Sequence, residues 1–234
     1  HLQGDPGPNA DTRIYVYDRG SGYRVALTRA GATAINPAWS PDGSMLAYAA
    51  YDDDTDNYNI YVMDASGRNQ RRLTTHEADD LQPTWSPDGR QIAFAAARDE
   101  GGQGIYTMPV DGRDPEDVTL LGELRWNLGW PRWSPDGETM LLGNATVNAH
   151  LHLLDINENT IRPIDDITGW LGDWSPDGSR LVVISGDAEL LIITPDGEIT
   201  VNDPAFVAVL EEAATWVGGI SPEAVTTYQE EESR

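Results

Sequence analysis

The sequence predicts an all-β fold: a five-bladed β-propeller of four-stranded antiparallel blades, forming a single domain over residues 1–234. Three observations carry that expectation. Trp-Ser-Pro-Asp-Gly occurs at 39–43, 85–89, 133–137 and 174–178, and a degraded fifth copy follows at Ile220-Ser221-Pro222-Glu223. A second, apolar element keeps step with it, at Ile14 to Asp18, Ile60 to Asp64, Ile105 to Met108, Leu151 to Asp155 and Leu190 to Ile193. The motif Trp residues stand 46, 48 and 41 residues apart, and four short strands per period of that length make a propeller blade.

The elements follow in order. Ile14 to Tyr17 and Tyr23 to Thr28 read as the third and fourth strands of a blade whose first two, Trp216 to Ile220 and Ala224 to Tyr228, come from the other end of the chain. One blade is thus closed by both termini, 216–228 plus 14–28, which removes free sheet edges. The next blade spans 39–74. Pro37-Ala38-Trp39 runs into a Ser-Pro-Asp-Gly turn, where Pro presets φ and Gly accepts conformations closed to other residues. Met45 to Ala49 is its second strand, an acidic loop follows, and Ile60 to Met63 is a third strand rich in β-branched and aromatic residues. Ala65-Ser66-Gly67 turns the chain into Arg71 to Thr74. The pattern repeats near 85–119, 133–164 and 174–201. The rival architecture is an open fragment of a six- or seven-bladed ring, with two unpaired edges. Asp203 and Pro204 open a stretch in which Phe206, Val209, Leu210, Ala213 and Trp216 recur at helical spacing, so a short helix is expected across the last inter-blade connection.

Composition narrows the function. The chain has 39 Asp+Glu against 15 Lys+Arg, a formal net charge of −24, and its basic residues are all Arg. A nucleic-acid binder needs a basic patch, and an anionic membrane surface attracts one, so both partners are disfavoured. No apolar run reaches the roughly 18 residues of a membrane-spanning helix. With no Cys, thiol catalysis, thiolate metal sites and disulfides are excluded together. The chain opens on His1 rather than Met, so an upstream segment is expected. Abundant acids without Lys also fit a protein adapted to high salt.

Asn36-Pro37-x-Trp39-Ser40-Pro41-Asp42-Gly43, Leu46-Ala47-Tyr48 and Ile60-Tyr61-Val62-Met63-Asp64, followed by Gly67, Arg72, Leu73 and Thr74, resemble the TolB-like, WD-repeat-like β-propeller family. Gln82-Pro83-x-Trp85 to Gly89, with Gln91 to Phe94, is similar to it as well. The resemblance implies an extracytoplasmic binding or scaffold domain, periplasmic or extracellular. It specifies fold far better than function, because the repeated residues build a blade and do not contact a ligand.

Four of the eight Trp belong to the motif and are expected to pack blades. The others, Trp126, Trp130, Trp170 and Trp216, fall in inter-blade connections near the start of an innermost strand, where Asn36 and Gln82 hold comparable positions. These six residues are the candidate ligand-binding set, an aromatic and amide channel mouth suited to a peptide or a sugar. The plainer reading is that the Trp side chains plug a tapering channel. Asp52, Asp54 and Asp56 offer alternate carboxylates, the hard oxygen ligands Ca²⁺ takes, but without the Gly and distal Glu of an EF-hand loop; a solvated hairpin is the simpler account. The same face carries Glu77, Asp79, Asp80, Glu123, Asp165 and Asp166, whose field favours cationic partners.

Catalytic constellations are hard to assemble. His150 and His152 share a strand face without a further ligand, and no Gly-x-Ser-x-Gly elbow, Walker loop or HExxH is present. The expected function is therefore non-catalytic binding of a protein or peptide, with no required cofactor. A carbohydrate-active propeller with channel carboxylates and a structural subunit of a surface assembly are the alternatives.

Overall fold

The computed structural model describes residues 12–20, 22–99, 102–112, 114, 117–124, 128–144, 150–185 and 190–198. These residues are all-β, built from sixteen strands paired antiparallel. β1 (Tyr15–Tyr17) and β2 (Arg24–Ala26) form a two-stranded ribbon. β3 (Ala34–Trp39), β4 (Met45–Asp52), β5 (Asn57–Asp64) and β6 (Arg71–Arg72) make the next sheet in sequential order. β7 (Asp80–Trp85), β8 (Gln91–Asp99), β9 (Gly102–Pro109) and β10 (Thr119–Leu124) make another.

β11 (Leu128–Trp133), β12 (Thr139–Asn144), β13 (His150–Asp155), β14 (Thr160–Trp174), β15 (Leu181–Ser185) and β16 (Leu190–Ile193) are hydrogen-bonded as six strands. The continuity of β14 departs from the sequence expectation of a strand, a connection and a second strand. Its first part pairs with β13 and its last six residues, Gly169 to Trp174, pair with β15, so one strand serves two successive blades. The acidic loop also differs: β4 and β5 pair out to Asp52↔Asn57, so only a tight turn remains between them.

Each Trp-Ser-Pro-Asp-Gly turn is built identically, and the chemistry explains the motif. In the first, Gly43 N–H donates to the Ser40 carbonyl (2.9 Å) and Gly43 takes φ 69°, where a side chain is strained. The Ser40 hydroxyl donates to Asp42 (2.6 Å) and accepts from Met45 N–H (2.9 Å), while the Ser44 N–H donates to the same carboxylate (3.0 Å). Ser86 with Asp88, Ser134 with Asp136 and Ser175 with Asp177 repeat the 2.6 Å bond. The Ser and Asp recur because together they satisfy the orphan groups of the hairpin.

Cores lie between sheets. Tyr58, Ile60 and Val62 of β5 pack with Trp85, Ile92 and Phe94 of the following sheet. Ala93 and Ile105 meet Met140, Leu142 and Leu154 in the same way. Leu141, Leu151 and Leu153 meet Ile167, Leu181 and Val183. The indole N–H of Trp85 donates to the Ala38 carbonyl (3.0 Å), and that of Trp174 to the Arg132 carbonyl (3.1 Å), so each ties an innermost strand to the one before it. Sheets stacked face to face through apolar slabs, with β3 in contact with β7, β7 with β11 and β11 with β14, define a β-propeller. The helix expected over 203–216 and the strands expected over 216–228 lie outside the described residues.

Candidate functional site

The innermost strands carry a repeated irregularity. β3 is bulged between Ile35 and Ala38, β7 between Leu81 and Thr84, and β11 between Gly129 and Arg132. At each bulge a non-Gly residue three positions before the motif Trp adopts a left-handed conformation: Asn36 (φ 51°), Gln82 (φ 56°) and Trp130 (φ 46°). Each is followed by Pro, at 37, 83 and 131. A Pro cannot donate to a ladder, so a bulge is where an inner strand accommodates one. In β14 the extra residue is Trp170, between Gly169 and Leu171.

These bulges place Asn36, Gln82 and Trp130 on one central cavity of about 590 Å³. The Gln82 side-chain carbonyl accepts the Trp130 N–H at 2.6 Å, a bond between neighbouring blades. Gly129 leaves room for it, since a Cβ there would stand 2.4 Å from that oxygen. Three of the six predicted binding residues are thus brought together. Trp126 and Trp216 lie outside the described residues, and only the backbone of Trp170 is described.

Two charged residues that sequence reading passed over line the same cavity: Arg132 and Asp173. Each stands one position before a motif Trp, where the earlier blades have Ala38 and Thr84. Reading that register across the four copies was the available signal. Burial pulls the Arg132 guanidinium below its ordinary value, with Asp173 opposing. Burial likewise pushes the Asp173 carboxyl up, against the Arg132 charge and the Trp174 N–H it accepts.

The acidic hairpin is organised by local bonds. Asp52 pairs with Arg72 at 2.6 Å and accepts the Tyr61 hydroxyl (3.2 Å), while Asp56 accepts the Tyr51 hydroxyl. Asp54 offers its N–H to Asp52 (3.0 Å). Asp52, Asp54 and Asp56 are not brought together as a metal-holding group, and among the described residues no cluster of three or more His, Asp or Glu is suited to a metal. Asp79 accepts the Tyr58 N–H (2.8 Å), and Asp80 is buried against Arg98. His152 Nδ1 lies 3.0 Å from the His150 carbonyl, a contact within their own strand.

Stacked antiparallel blades around a central cavity define the class as a β-propeller. Residues 8–185 match the TolB beta propeller domain family, and the chain belongs to it. TolB from Acinetobacter baumannii superposes with a TM-score of 0.64 at 24% identity, over 80% of this chain and 47% of that one. A putative TolB from Agrobacterium tumefaciens gives 0.64 at 20% identity, over 82% and 70%. An oligogalacturonate lyase in complex with manganese gives 0.58 at 16% identity, over 77% and 52%. These structures share the fold across TolB proteins and enzymes alike. A Deinococcus radiodurans protein described as a probable ABC transporter-binding protein is 49% identical over 43 residues, 18% of this chain and 10% of its own length. The chain therefore spans about half of the Acinetobacter TolB and a tenth of the Deinococcus protein. Among the described residues no helix is long and apolar enough to cross a membrane.

Proposed function

We propose that this chain is a non-catalytic, extracytoplasmic binding or scaffold propeller that holds a protein or peptide segment at the mouth of its central channel. One observation carries the reading: Asn36, Gln82 and Trp130, in one register of three successive blades and all with left-handed backbone, converge on a single cavity. Left-handed non-Gly residues cost roughly 1–3 kcal/mol each and concentrate at binding sites. Indole and amide groups at the rim of a channel suit a peptide, whose apolar side chains and backbone amides they match.

In its finer form the proposal has five blades in one domain, with residues 216–228 completing the β1–β2 ribbon. The net charge of −24 favours a cationic partner approaching the mouth. A periplasmic or extracellular setting follows the TolB resemblance, and no metal or cofactor is required. A carbohydrate-active enzyme is the second reading. Glycoside chemistry uses two facing carboxylates, whereas among the described residues lining the cavity Asp173 is the one carboxylate.

The test is selection of displayed 12-residue peptides on the whole chain, followed by calorimetry with the selected peptide. Trp130→Ala is expected to weaken binding by at least about tenfold, the scale of a buried aromatic contact. Unchanged affinity in that variant, or turnover of an oligosaccharide panel by the chain, overturns the reading.

A further inference from the structure

We propose that the central cavity is a carboxylate-binding site anchored by Arg132. The inference rests on the reading of the channel as the binding site and specifies the group it takes. Arg132 is an unusual wall residue: the cavity otherwise presents Pro, Trp, aliphatic, hydroxyl and amide side chains, with Asp173 as its other charge.

The Arg132 guanidinium has five donors in a planar fork. One of them, Nη1, reaches the Pro131 carbonyl at 3.1 Å. None of the ion pairs Arg72–Asp52, Arg98–Asp80, Arg98–Asp114 and Arg162–Asp196 involves Arg132. Asp173 instead gives Oδ1 to the Trp174 N–H at 2.9 Å. A cation drawn out of bulk water without a contacting anion is costly, and a planar anion matching the fork offsets that cost.

The neighbouring groups fit the same ligand. The Gln82 carbonyl oxygen is taken by Trp130 N–H (2.6 Å), and the amide N–H₂ of this cavity-lining residue remains as a donor. The Trp130 indole supplies an apolar wall for whatever carries the acid. Asp173 opposes any anion held beside Arg132, so its charge limits how tightly an acid is bound. The net charge of −24 also suppresses unspecific anion binding, so retention of an acid requires a specific contact.

A free organic acid and the carboxylate of a peptide present this same group. The experiment titrates the intact chain with benzoate, benzamide, acetyl-Gly-Phe acid and acetyl-Gly-Phe amide, following Trp fluorescence and calorimetric heat. Both acids are expected to bind at least about tenfold more tightly than their amides, and Arg132→Gln to remove that preference. Preference for benzoate alone assigns a small acid; preference for the peptide acid as well assigns a chain terminus or acidic side chain. Asp173→Asn, which keeps Arg132, is expected to tighten both acids several-fold. Equal affinity for acid and amide, an acid preference that survives Arg132→Gln, or weaker acid binding in Asp173→Asn overturns the proposal. Library peptides that bind through Trp130 without an acid preference would leave the channel reading standing and remove only the Arg132 anchor.

Discussion

Replacing Arg98 by Met tests how far one buried charge organises the second complete sheet. Arg98 donates through Nε and Nη2 to both oxygens of Asp80 (3.0 and 2.7 Å) and through Nη1 to Asp114 (2.5 Å). The side chains are 6%, 0% and 1% exposed, so solvent does not screen the network. Its guanidinium also lies over the rings of Phe94 (5.0 Å) and Tyr106 (5.5 Å). Burial works to raise the Asp114 carboxyl, but Arg98 and the Thr75 N–H outweigh it and hold it below the usual value. The two carboxylates raise Arg98 above its ordinary value against its burial.

Met fills the stem and keeps the apolar contacts, but leaves two buried carboxylates without their cation. Removing one member of such a group costs about 3–5 kcal/mol. At roughly 2–4 °C per kcal/mol for a chain of this size, the melting temperature should fall by roughly 6–20 °C. Thermal unfolding followed by circular dichroism reads this directly, and Arg98→Met combined with Asp80→Asn and Asp114→Asn should recover most of the loss. A fall under about 2 °C for the single variant, or no recovery in the triple one, refutes the reasoning.

Three further outcomes follow from the turns and inner strands. Asp42 and Asp177 are each held at about 2 rather than 3.8, first by the neighbouring Ser hydroxyl and then by backbone N–H donors. A depressed folded value means the contribution is present above 3.8 and lost as pH falls toward about 2; melting temperature against pH should decline across that window, less steeply in Asp42→Ala with Asp177→Ala. Trp85 and Trp174 donate across blades, whereas the Trp133 indole N–H is buried without a hydrogen-bond partner. Trp85→Phe should therefore cost about 1–3 kcal/mol more than Trp133→Phe in chemical unfolding, and equal costs would contradict the assignment. A Cβ at Gly172 would lie 2.7 Å from the Val182 carbonyl oxygen and 2.8 Å from Leu141 Cδ2. Gly172→Ala should destabilise by about 1–3 kcal/mol, measured in the same way.

The repeat made the blades legible because each copy solves the same local problem: Pro41, Asp42 and Gly43 specify the turn wherever they recur. The same periodicity pointed to Asn36, Gln82 and Trp130, since a position that varies between amide and indole within a conserved frame is not serving the frame. What periodicity hides is anything present in one blade only. Arg98, Asp80 and Asp114 come from separate segments of one repeat and have no counterparts to compare. Arg132 and Asp173 occupy a register held by Ala38 and Thr84 elsewhere, so their charge reads as variation until the inner strands are seen side by side. The union of two blades in β14 was illegible for another reason: Asp165-Asp166 looks like a loop, and the pairing partners on either side override that composition.

In the proposed binding mode, ligands enter the channel past the bulged residues of the inner strands. The most direct measurement of it is the ¹⁵N-edited spectrum of the Trp indole N–H signals during titration with a library-selected peptide, with the Trp130 signal assigned by Trp130→Phe. The account predicts that Trp130 shifts first and furthest, together with the side-chain amides of Asn36 and Gln82. Shifts confined to signals outside this cavity, with Trp130, Asn36 and Gln82 unmoved at saturation, would contradict it.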